Sequence, residues 1–368
     1  MKKVAAAFVI SLFCIQALFA QTEKENPFSF GASYIGDFVS NFHGGIKTGS
    51  EYLGKANLTV GFDTEKAQWW KGGELFINGM TTHGGEPSAT LIGDFQKASN
   101  IDAGDHIALY ELWYKQTFGK FDITAGLQDL NVDYAVSESG LLFNNSYFGI
   151  HSVCSENIPV PIFPLTALGL NVGWNISDDY RLQAVVFDGV PDDFSINPYN
   201  VKWTLSRWQG FLALSEFQVK KSIVKGRGGV YKIGFYLQDS QEITNDTHKN
   251  YGFYLVADQE ISDQITLFMQ TGTSPKKWNN HYFCYGLGMN WKNFNTKRPN
   301  DIIGLAFNHA RFKNNPAGNE TVVELIYHFQ LNKNSYLCPD LQYIANPAGT
   351  GEKLQNALVG MLRFGIEF

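Results

Sequence analysis

The feature that most constrains the fold is an alternation of apolar and polar residues that recurs from residue 28 to the end of the chain. In one such stretch, Phe121, Ile123 and Leu127 are separated by polar or small residues. A repeat of two residues is typical of β-strands that have one apolar and one polar face. Helical periodicity is confined to residues 65–70 and a few short loop pieces. The pattern therefore predicts an all-β protein.

About sixteen segments carry this alternation, and no linker, low-complexity tract or block of charge interrupts them. The segments are 28–38, 52–62, 72–82, 106–118, 120–129, 165–175, 180–188, 209–219, 228–238, 250–260, 263–272, 281–292, 300–310, 320–331, 334–345 and 356–368. We therefore expect one continuous domain over residues 21–368.

Two architectures could use such strands. A soluble sandwich or solenoid would bury the apolar faces, whereas a transmembrane antiparallel barrel would turn them to lipid and keep the polar faces around a lumen. Only 17% of the residues are charged, against about a quarter in average proteins. Gly, Asn, Gln and charged residues occupy the polar faces, and aromatic residues near strand ends resemble the interfacial girdles of outer-membrane barrels. Both observations favour the barrel. The aromatic residues near strand ends are Phe28, Phe62, Phe118, Trp174, Tyr180, Trp291 and Phe368.

The connections alternate in length, as expected for a barrel with one short-turn rim and one long-loop rim. Short connections lie at 118–120, 176–179, 261–262 and 332–333. Long ones lie at 83–105, 130–164, 189–208, 239–249, 273–280 and 346–355, with 39–51 and 63–71 intermediate. Loops as long as 130–164 are usually functional or disordered. We expect this one to fold inward and narrow a channel.

The N-terminus has the pattern of a secretory signal peptide over residues 1–20. Lys2 and Lys3 precede an apolar run that ends at Ala20 and is followed by polar residues. An uncleaved anchor helix is the alternative, for which the run is short, and the bulky Phe13 before Cys14 does not suit a lipidation site. Cleavage after Ala20 would leave 348 of the 368 residues and, with two lysines lost, change the formal net charge from -6 to -8.

Three cysteines would remain after cleavage, namely Cys154, Cys284 and Cys338, each in an apolar or aromatic context. An odd number argues against a disulfide framework. We interpret all three as small packing residues, and a single bridge among them stays open.

The last segment ends in a pattern that looks like the C-terminal signature of outer-membrane barrels. Phe364, Ile366 and Phe368 are apolar at the final position and at every second one before it. We interpret them as the signal that the barrel-assembly machinery reads. An ordinary terminal strand that ends on Phe is the alternative.

A series of short motifs resembles the carbohydrate-selective porins, the OprB-like family, in the same order along nearly the whole mature chain. The motifs are Gly36-Asp37, Asn41-Phe42-His43-Gly44-Gly45, Trp70-Lys71-Gly72-Gly73, Ile92-Gly93-Asp94-Phe95-Gln96, Leu109-Tyr110-Glu111-Leu112-Trp113, Ala125-Gly126-Leu127-Gln128-Asp129, Phe143-Asn144-Asn145-Ser146-Tyr147-Phe148-Gly149, Glu320 with Glu324, Pro339-Asp340-Leu341-Gln342-Tyr343-Ile344-Ala345-Asn346-Pro347, and Arg363 with Phe368. Residues 176–315 carry fewer such motifs. The resemblance implies a sixteen-stranded barrel in a Gram-negative outer membrane that passes mono- or oligosaccharides by diffusion.

Candidate channel-lining residues follow from the polar strand faces. A sugar pathway needs hydrogen-bonding groups and flat aromatic surfaces in weak, successive contacts, because tight binding would stop the flux. In segment 106–118 we expect one face to point inward, with Leu109, Glu111, Trp113 and Lys115, and the other outward, with Ala108, Tyr110, Leu112 and Tyr114. The full set of candidates is Glu111, Trp113, Lys115, Asn144, Asn145, Tyr147, Arg181, Lys232, Glu324, Asp340, Gln342 and Arg363. For each charged one, an internal salt bridge or a solvated wall position is the alternative.

Other classes of function find less support. The excess of acidic residues, 35 Asp+Glu against 29 Lys+Arg, disfavours a nucleic-acid partner. We expect no enzyme, metal or cofactor, because the common catalytic and phosphate-binding motifs are missing and the eight His show no ligand spacing. His43-Gly44-Gly45 is interpreted as a turn. A general ion porin, or a barrel with a structural or adhesive role, stays an alternative. Outer-membrane lipid and a homo-oligomer are further expected partners.

Overall fold

A computed structural model describes residues 26–240 and 249–368. Sixteen antiparallel strands close into one barrel, in which each strand is bonded to its neighbours in sequence and the last is bonded to the first. The strands are β1 (Phe28–Gly45), β2 (Gly49–Asp63), β3 (Gly73–Gly84), β4 (His106–Phe118), β5 (Phe121–Gln128), β6 (Ala167–Asn175), β7 (Tyr180–Asp188), β8 (Phe211–Lys220), β9 (Gly229–Asp239), β10 (Asn250–Glu260), β11 (Ile265–Thr273), β12 (His281–Lys292), β13 (Ile302–Phe312), β14 (Asn319–Asn332), β15 (Ser335–Ala345) and β16 (Gln355–Glu367). The predicted fold and strand number are confirmed. The predicted signal peptide lies outside the described residues.

The strands turn their apolar faces outward and their polar faces inward. On β9, Ile233 is 54% exposed on the outer surface, whereas the preceding Lys232 is 9% exposed inside the barrel. An outer surface of Leu, Ile, Val, Phe and Trp side chains would be unfavourable in water and suits the hydrocarbon of a bilayer. The transmembrane barrel is therefore the correct one of the two predicted architectures.

The first two strands are longer than the alternation predicts, which corrects the loop expected at 39–51. β1 continues to Gly45 and β2 begins at Gly49, so three residues connect them. Gly44 and Gly45 have φ angles of 69° and 63°, which glycine adopts without the steric strain of a side chain. Asn41 supports this turn, since its Nδ2 donates to the carbonyl of Gly44 at 2.9 Å.

Helices in the described residues are short and lie in the connections. They are α1 (Leu130–Asp133), α2 (Ser152–Ser155), two 3₁₀ turns (Gly140–Leu142 and Ser146–Phe148) and one π-helical turn (Ser88–Ile92). Residues 65–70, the stretch with helical periodicity, form hydrogen-bonded turns instead, because Asp63 Oδ1 accepts from the main-chain N–H groups of Glu65 and Lys66. Among the described residues, no helix is long and apolar enough to cross a membrane.

Two connections at the long-loop rim fold into the barrel. We call residues 85–105, between β3 and β4, the first inward loop, and residues 129–166, between β5 and β6, the second inward loop. Glycines on the inner wall give the second one room: a Cβ at Gly286 would lie 2.3 Å from the ring of Tyr147. The inward-folded loop that the sequence predicts is thus confirmed.

The inward loops form apolar cores with the inner wall. Phe143 and Tyr147 of the second inward loop pack with Phe268 of β11 and Cys284 of β12. The first inward loop packs its own apolar residues against β1 and β14–β16. The three cysteines are free and buried, in keeping with their interpretation as packing residues. The inward loops therefore cover inner-wall residues from β6 to β16, whereas several inner-face side chains of β2–β4 stay half-buried.

Candidate functional site in the barrel lumen

The inner faces of β2, β3 and β4 carry a row of polar and aromatic side chains. The row forms because β3 and β4 pair with Asn78 opposite Glu111 and Phe76 opposite Trp113. This lumen row consists of Lys55, Asn57, Phe76, Asn78, Glu111, Trp113 and Lys115. Asn78 and Glu111 are buried between their neighbours, whereas the other five residues are half-buried. Three of the predicted lining residues, from β4, therefore lie together.

A hydrogen-bond network fixes the centre of the lumen row. Glu111 accepts from Asn78 Nδ2 at 2.9 Å through one oxygen and from Trp113 Nε1 at 3.2 Å through the other. Asn78 in turn accepts from Asn57 Nδ2 at 2.9 Å. The ring of Phe76 stacks on Trp113 with 4.9 Å between the ring centroids and 25° between the planes. A flat apolar surface thus lies beside fixed donors and acceptors.

A β-bulge at Tyr110 corrects the predicted facing of β4. Glu111 and Leu109 lie opposite consecutive residues of β3, so that Tyr110 is an extra residue. A bulge places neighbouring residues on one side of a sheet. Tyr110 is 5% exposed, and its hydroxyl donates to Asp129 in the second inward loop at 2.5 Å. Ala108 and Tyr110 therefore face inward, and Leu109 does not share the face of Glu111.

Charged groups flank the lumen row. The Nζ of Lys55 lies 4.8 Å from the ring centre of Phe163, which belongs to the second inward loop. Arg181 on β7 binds both carboxylate oxygens of Asp122 on β5 at 2.8 and 2.9 Å. Its side chain is 22% exposed, so the predicted Arg181 borders the lumen as half of a wall ion pair.

Five other candidate residues form the hydrogen bonds that hold the second inward loop to the inner faces of β14 and β15. The main-chain N–H of Asn144 donates to Glu324 at 2.6 Å, and its side chain donates to Asp340 at 2.8 Å. Asn145 donates to Gln342 at 3.2 Å. All five side chains are at least 94% buried. They hold the loop to the wall, and their burial does not fit direct contact with a passing solute.

Tyr147 and Lys232 are also covered by the second inward loop. The Tyr147 hydroxyl donates to the carbonyl of Gln270 at 3.0 Å, and Lys232 Nζ donates to the carbonyl of Val136 at 2.7 Å. The alternation predicted correctly that Lys232 points inward. It carried no information on which inward residues a loop would cover.

Arg363 joins the last strand to the first. Its Nε and Nη2 donate to the two oxygens of Asp37 at 2.7 Å each, and Nη2 also donates to Asn100 at 2.7 Å. Ser99 donates to Asp37 at 2.7 Å. Both members of the ion pair are buried, so Arg363 ties the barrel seam to the first inward loop.

The sequence predictions did not select several residues that the structure places in the lumen or at the loops. On β3, the two-residue repeat places Phe76 and Asn78 on the same face of the strand. On β2, Lys55 and Asn57 lie on the polar face. That signal was present, but their alignment with Glu111 depends on strand register, which a single sequence does not show.

Acidification is expected to release the second inward loop in part through His151. His151 is fully buried, and neither of its ring nitrogens has a hydrogen-bond partner among the described residues. Burial lowers its pKa to about 3. A released loop would return it to its ordinary pKa of about 6.5. The docked loop therefore keeps its full stability above pH 6.5 and loses about 1.4 kcal/mol per unit as the pH falls from there toward 3.

The measurement is open-channel noise between pH 7 and 4, compared with that of His151→Leu, which removes the titration. Burial raises the pKa values of Asp94 and Asp129 to about 6, so these two groups favour the docked loops at low pH and oppose His151. The difference between the two channels isolates His151. Identical pH profiles would contradict the prediction.

Comparison with known proteins decides the family. Residues 47–368 match the model of the carbohydrate-selective porins, OprB family. The chain belongs to the OprB family. It is therefore a carbohydrate-selective porin of the outer membrane, and its fold and family are those of channels rather than enzymes.

Similar proteins support the fold of this OprB-family porin. The OprB structure from Pseudomonas putida at high pH has a TM-score of 0.81 and 21% identity, over 93% of this chain and 94% of that one. The outer-membrane channel DcaP of Acinetobacter baumannii has a TM-score of 0.59 and 10% identity, over 93% and 97%. The putative porin QuiX of Acinetobacter baylyi is 23% identical over an alignment 431 positions long, which covers 95% of this chain and 90% of that protein.

Proposed function

We propose that sugars cross the barrel along the lumen row, between β2–β4 and the second inward loop. The observation that carries the proposal is the stacked pair of Phe76 and Trp113 beside the bonded carboxylate of Glu111. A sugar ring has apolar C–H faces and hydroxyl groups around its edge. It can therefore lie on the aromatic pair while its hydroxyls exchange water for the polar groups of the row.

The half-buried lysines extend this pathway. Lys55 lies at the side of the second inward loop, and Lys115 lies beyond Trp113 along β4. Both offer donors to hydroxyl oxygens, whereas Glu111 offers acceptors. Successive weak contacts of this kind favour entry and still allow exit. The buried set around Asn144, Asn145, Tyr147, Lys232, Glu324, Asp340, Gln342 and Arg363 acts on the pathway indirectly, by fixing the loops.

The double replacement Glu111→Gln/Trp113→Ala tests the pathway. It removes the Trp113 ring from the stacked pair, and it replaces one accepting oxygen of Glu111 and its charge, so we expect block of the ion current by mono- and disaccharides to weaken by roughly tenfold, the effect of about 1.4 kcal/mol. Block is measured in planar bilayers over a range of sugar concentrations. Gln264→Ala, an exposed position in the turn between β10 and β11 and away from the lumen row, serves as the control. Unchanged sugar block in the double variant would refute the pathway.

The same bilayer measurement separates the alternatives to this function. Concentration-dependent block of the unmodified channel supports a sugar pathway. Indifference to every sugar, with strong ion selectivity, would favour a general ion porin. A folded barrel that conducts no ions would favour a structural or adhesive role.

Export and insertion belong to the same proposal. Residues 1–20 direct secretion and are cleaved after Ala20, and Phe364, Ile366 and Phe368 are read by the barrel-assembly machinery. Ile366 and Phe368 are 38% and 67% exposed on the outer surface, where a partner can reach them. Mass determination of the mature chain and the yield of folded barrel after Phe368→Ser test the two parts.

A further inference from the structure

Three glutamates on the inner wall share one arrangement. Glu216 on β8 and Glu320 and Glu324 on β14 are each at most 1% exposed. Each accepts a hydrogen bond from a main-chain N–H of an inward loop. A carboxylate buried without such partners would be strongly unfavourable. The loop main chain and the wall carboxylates therefore stabilise one another.

Glu320 accepts from more main-chain N–H groups than either of the other two glutamates. One carboxylate oxygen accepts from the N–H of Phe95 at 2.7 Å and from that of Ala348 at 2.8 Å. The other oxygen accepts from the N–H of Gln96 at 2.9 Å. One side chain thus joins β14, the first inward loop and the connection between β15 and β16.

Glu324 and Glu216 hold the second inward loop at two separate points. Glu324 accepts from the N–H of Asn144 at 2.6 Å. Glu216 accepts from the N–H of Ala135 at 2.8 Å, and the same oxygen accepts from the Tyr254 hydroxyl at 2.8 Å. The loop is therefore bonded to β8 and to β14, at points on either side of its first 3₁₀ turn, Gly140–Leu142.

A bond to the main chain fixes the course of a loop more directly than a bond to a flexible side chain. Hydrogen bonds to a carboxylate are shorter and about twice as strong as those between neutral groups. Rigid support of this kind holds a site at its working geometry. The space left between the loops and the lumen row therefore depends on where these three carboxylates lie.

We propose that Glu216, Glu320 and Glu324 are positioning residues for sugar passage, which set the width of the pathway by holding the main chain of both inward loops. The part of this role that concerns sugar passage rests on the pathway proposed above. Its effect on pore width can be measured without any sugar.

Glu320→Gln is the sharpest test. Glutamine has nearly the same size, but it replaces one accepting oxygen with an NH₂ group that faces main-chain N–H donors. We expect the polymer-exclusion limit, measured with polyethylene glycols of graded size, to shift to larger polymers and the open-channel noise to rise. Glu324→Gln should do the same for the second inward loop. Glu320→Asp keeps the charge and should fall between Glu320→Gln and the unmodified channel.

Glu260→Gln is the matched control, because Glu260 on β10 also accepts from a main-chain N–H, that of Gly228 at 3.1 Å, but at the short-turn rim. It should leave exclusion and noise unchanged. Heat-dependent gel mobility confirms that each barrel is closed. An unchanged exclusion limit and noise in closed barrels of both Glu320→Gln and Glu324→Gln would overturn the positioning role.

Sugar block of the same channels keeps the two proposals apart. Weaker block in the glutamine variants, by roughly threefold to tenfold as expected for one lost positioning hydrogen bond, would extend the role to sugar passage. If sugars fail to block even the unmodified channel, the proposed pathway is wrong, and the polymer-exclusion result still decides the positioning role.

Discussion

Replacing Arg363 with methionine is expected to lower the free energy of unfolding by about 3–5 kcal/mol, because it leaves the buried carboxylate of Asp37 without its partner. Asp37 is fully buried and receives two charged hydrogen bonds of 2.7 Å from Arg363. Methionine fills much of the volume, so lost packing contributes little. The pair also lies where β1 meets β16, and its loss weakens the closure of the barrel.

Urea unfolding in detergent, followed by tryptophan fluorescence, measures this effect. Arg227→Met is the matched control, since Arg227 pairs with Asp263 at the surface and the aspartate side chain is 87% exposed. Exposed pairs contribute little to stability. Asp37→Asn combined with Arg363→Met should recover part of the loss, because no buried charge is left. If Arg363→Met lowered the free energy of unfolding as little as the control does, the prediction would be wrong, and burial of Asp37 without its arginine would cost little.

Excising residues 137–153 and joining the ends with a short Gly-Ser linker is expected to raise single-channel conductance several-fold and to abolish sugar block. The segment fills the lumen beside β10–β15 and contributes Phe143, Tyr147 and Phe148 to an apolar core. Its removal opens the space beside β10–β15, so a sugar could cross the barrel without touching the lumen row. The freed inner wall exposes apolar groups such as Phe268 to water, so thermal stability should also fall.

Planar-bilayer recording before and after the excision provides the measurement. The control is removal of residues 314–317, which lie in the β13–β14 connection at the same rim. That channel should keep its conductance and its block by sugars. Unchanged conductance after excision of 137–153 would mean that the second inward loop does not limit the pore.

Strand number and facing could be predicted because a transmembrane strand has to satisfy lipid on one side and water on the other. As a result, apolar and polar residues alternate with a repeat of two in nearly every strand. The repeat fails where the backbone departs from regular pairing. The bulge at Tyr110 reverses the facing on one side of it, and Gly44 and Gly45 permit a turn that the alternation does not mark.

The candidate site could be predicted only in part, because the alternation does not show which inward residues an inward loop covers. Facing separates inward from outward residues, and it selected Glu111 and Trp113 correctly as inward. Whether an inward residue meets solute or a loop depends on contacts between distant segments. Glu324 and Asn144, for example, are separated by 180 positions. The sequence predicted that both residues are polar and lie inside the barrel. Only the structure shows that they lie next to each other and form a hydrogen bond.

The hydrogen bonds around Arg363 and Asp37 also constrain the order in which the barrel assembles. Ser99 and Asn100 belong to the early part of the chain, yet they bond to a pair whose members are 326 positions apart and meet only when the final strand arrives. An unsealed barrel has no completed seat for its first inward loop. The first inward loop therefore gains its full set of hydrogen bonds only when β16 pairs with β1 and closes the barrel.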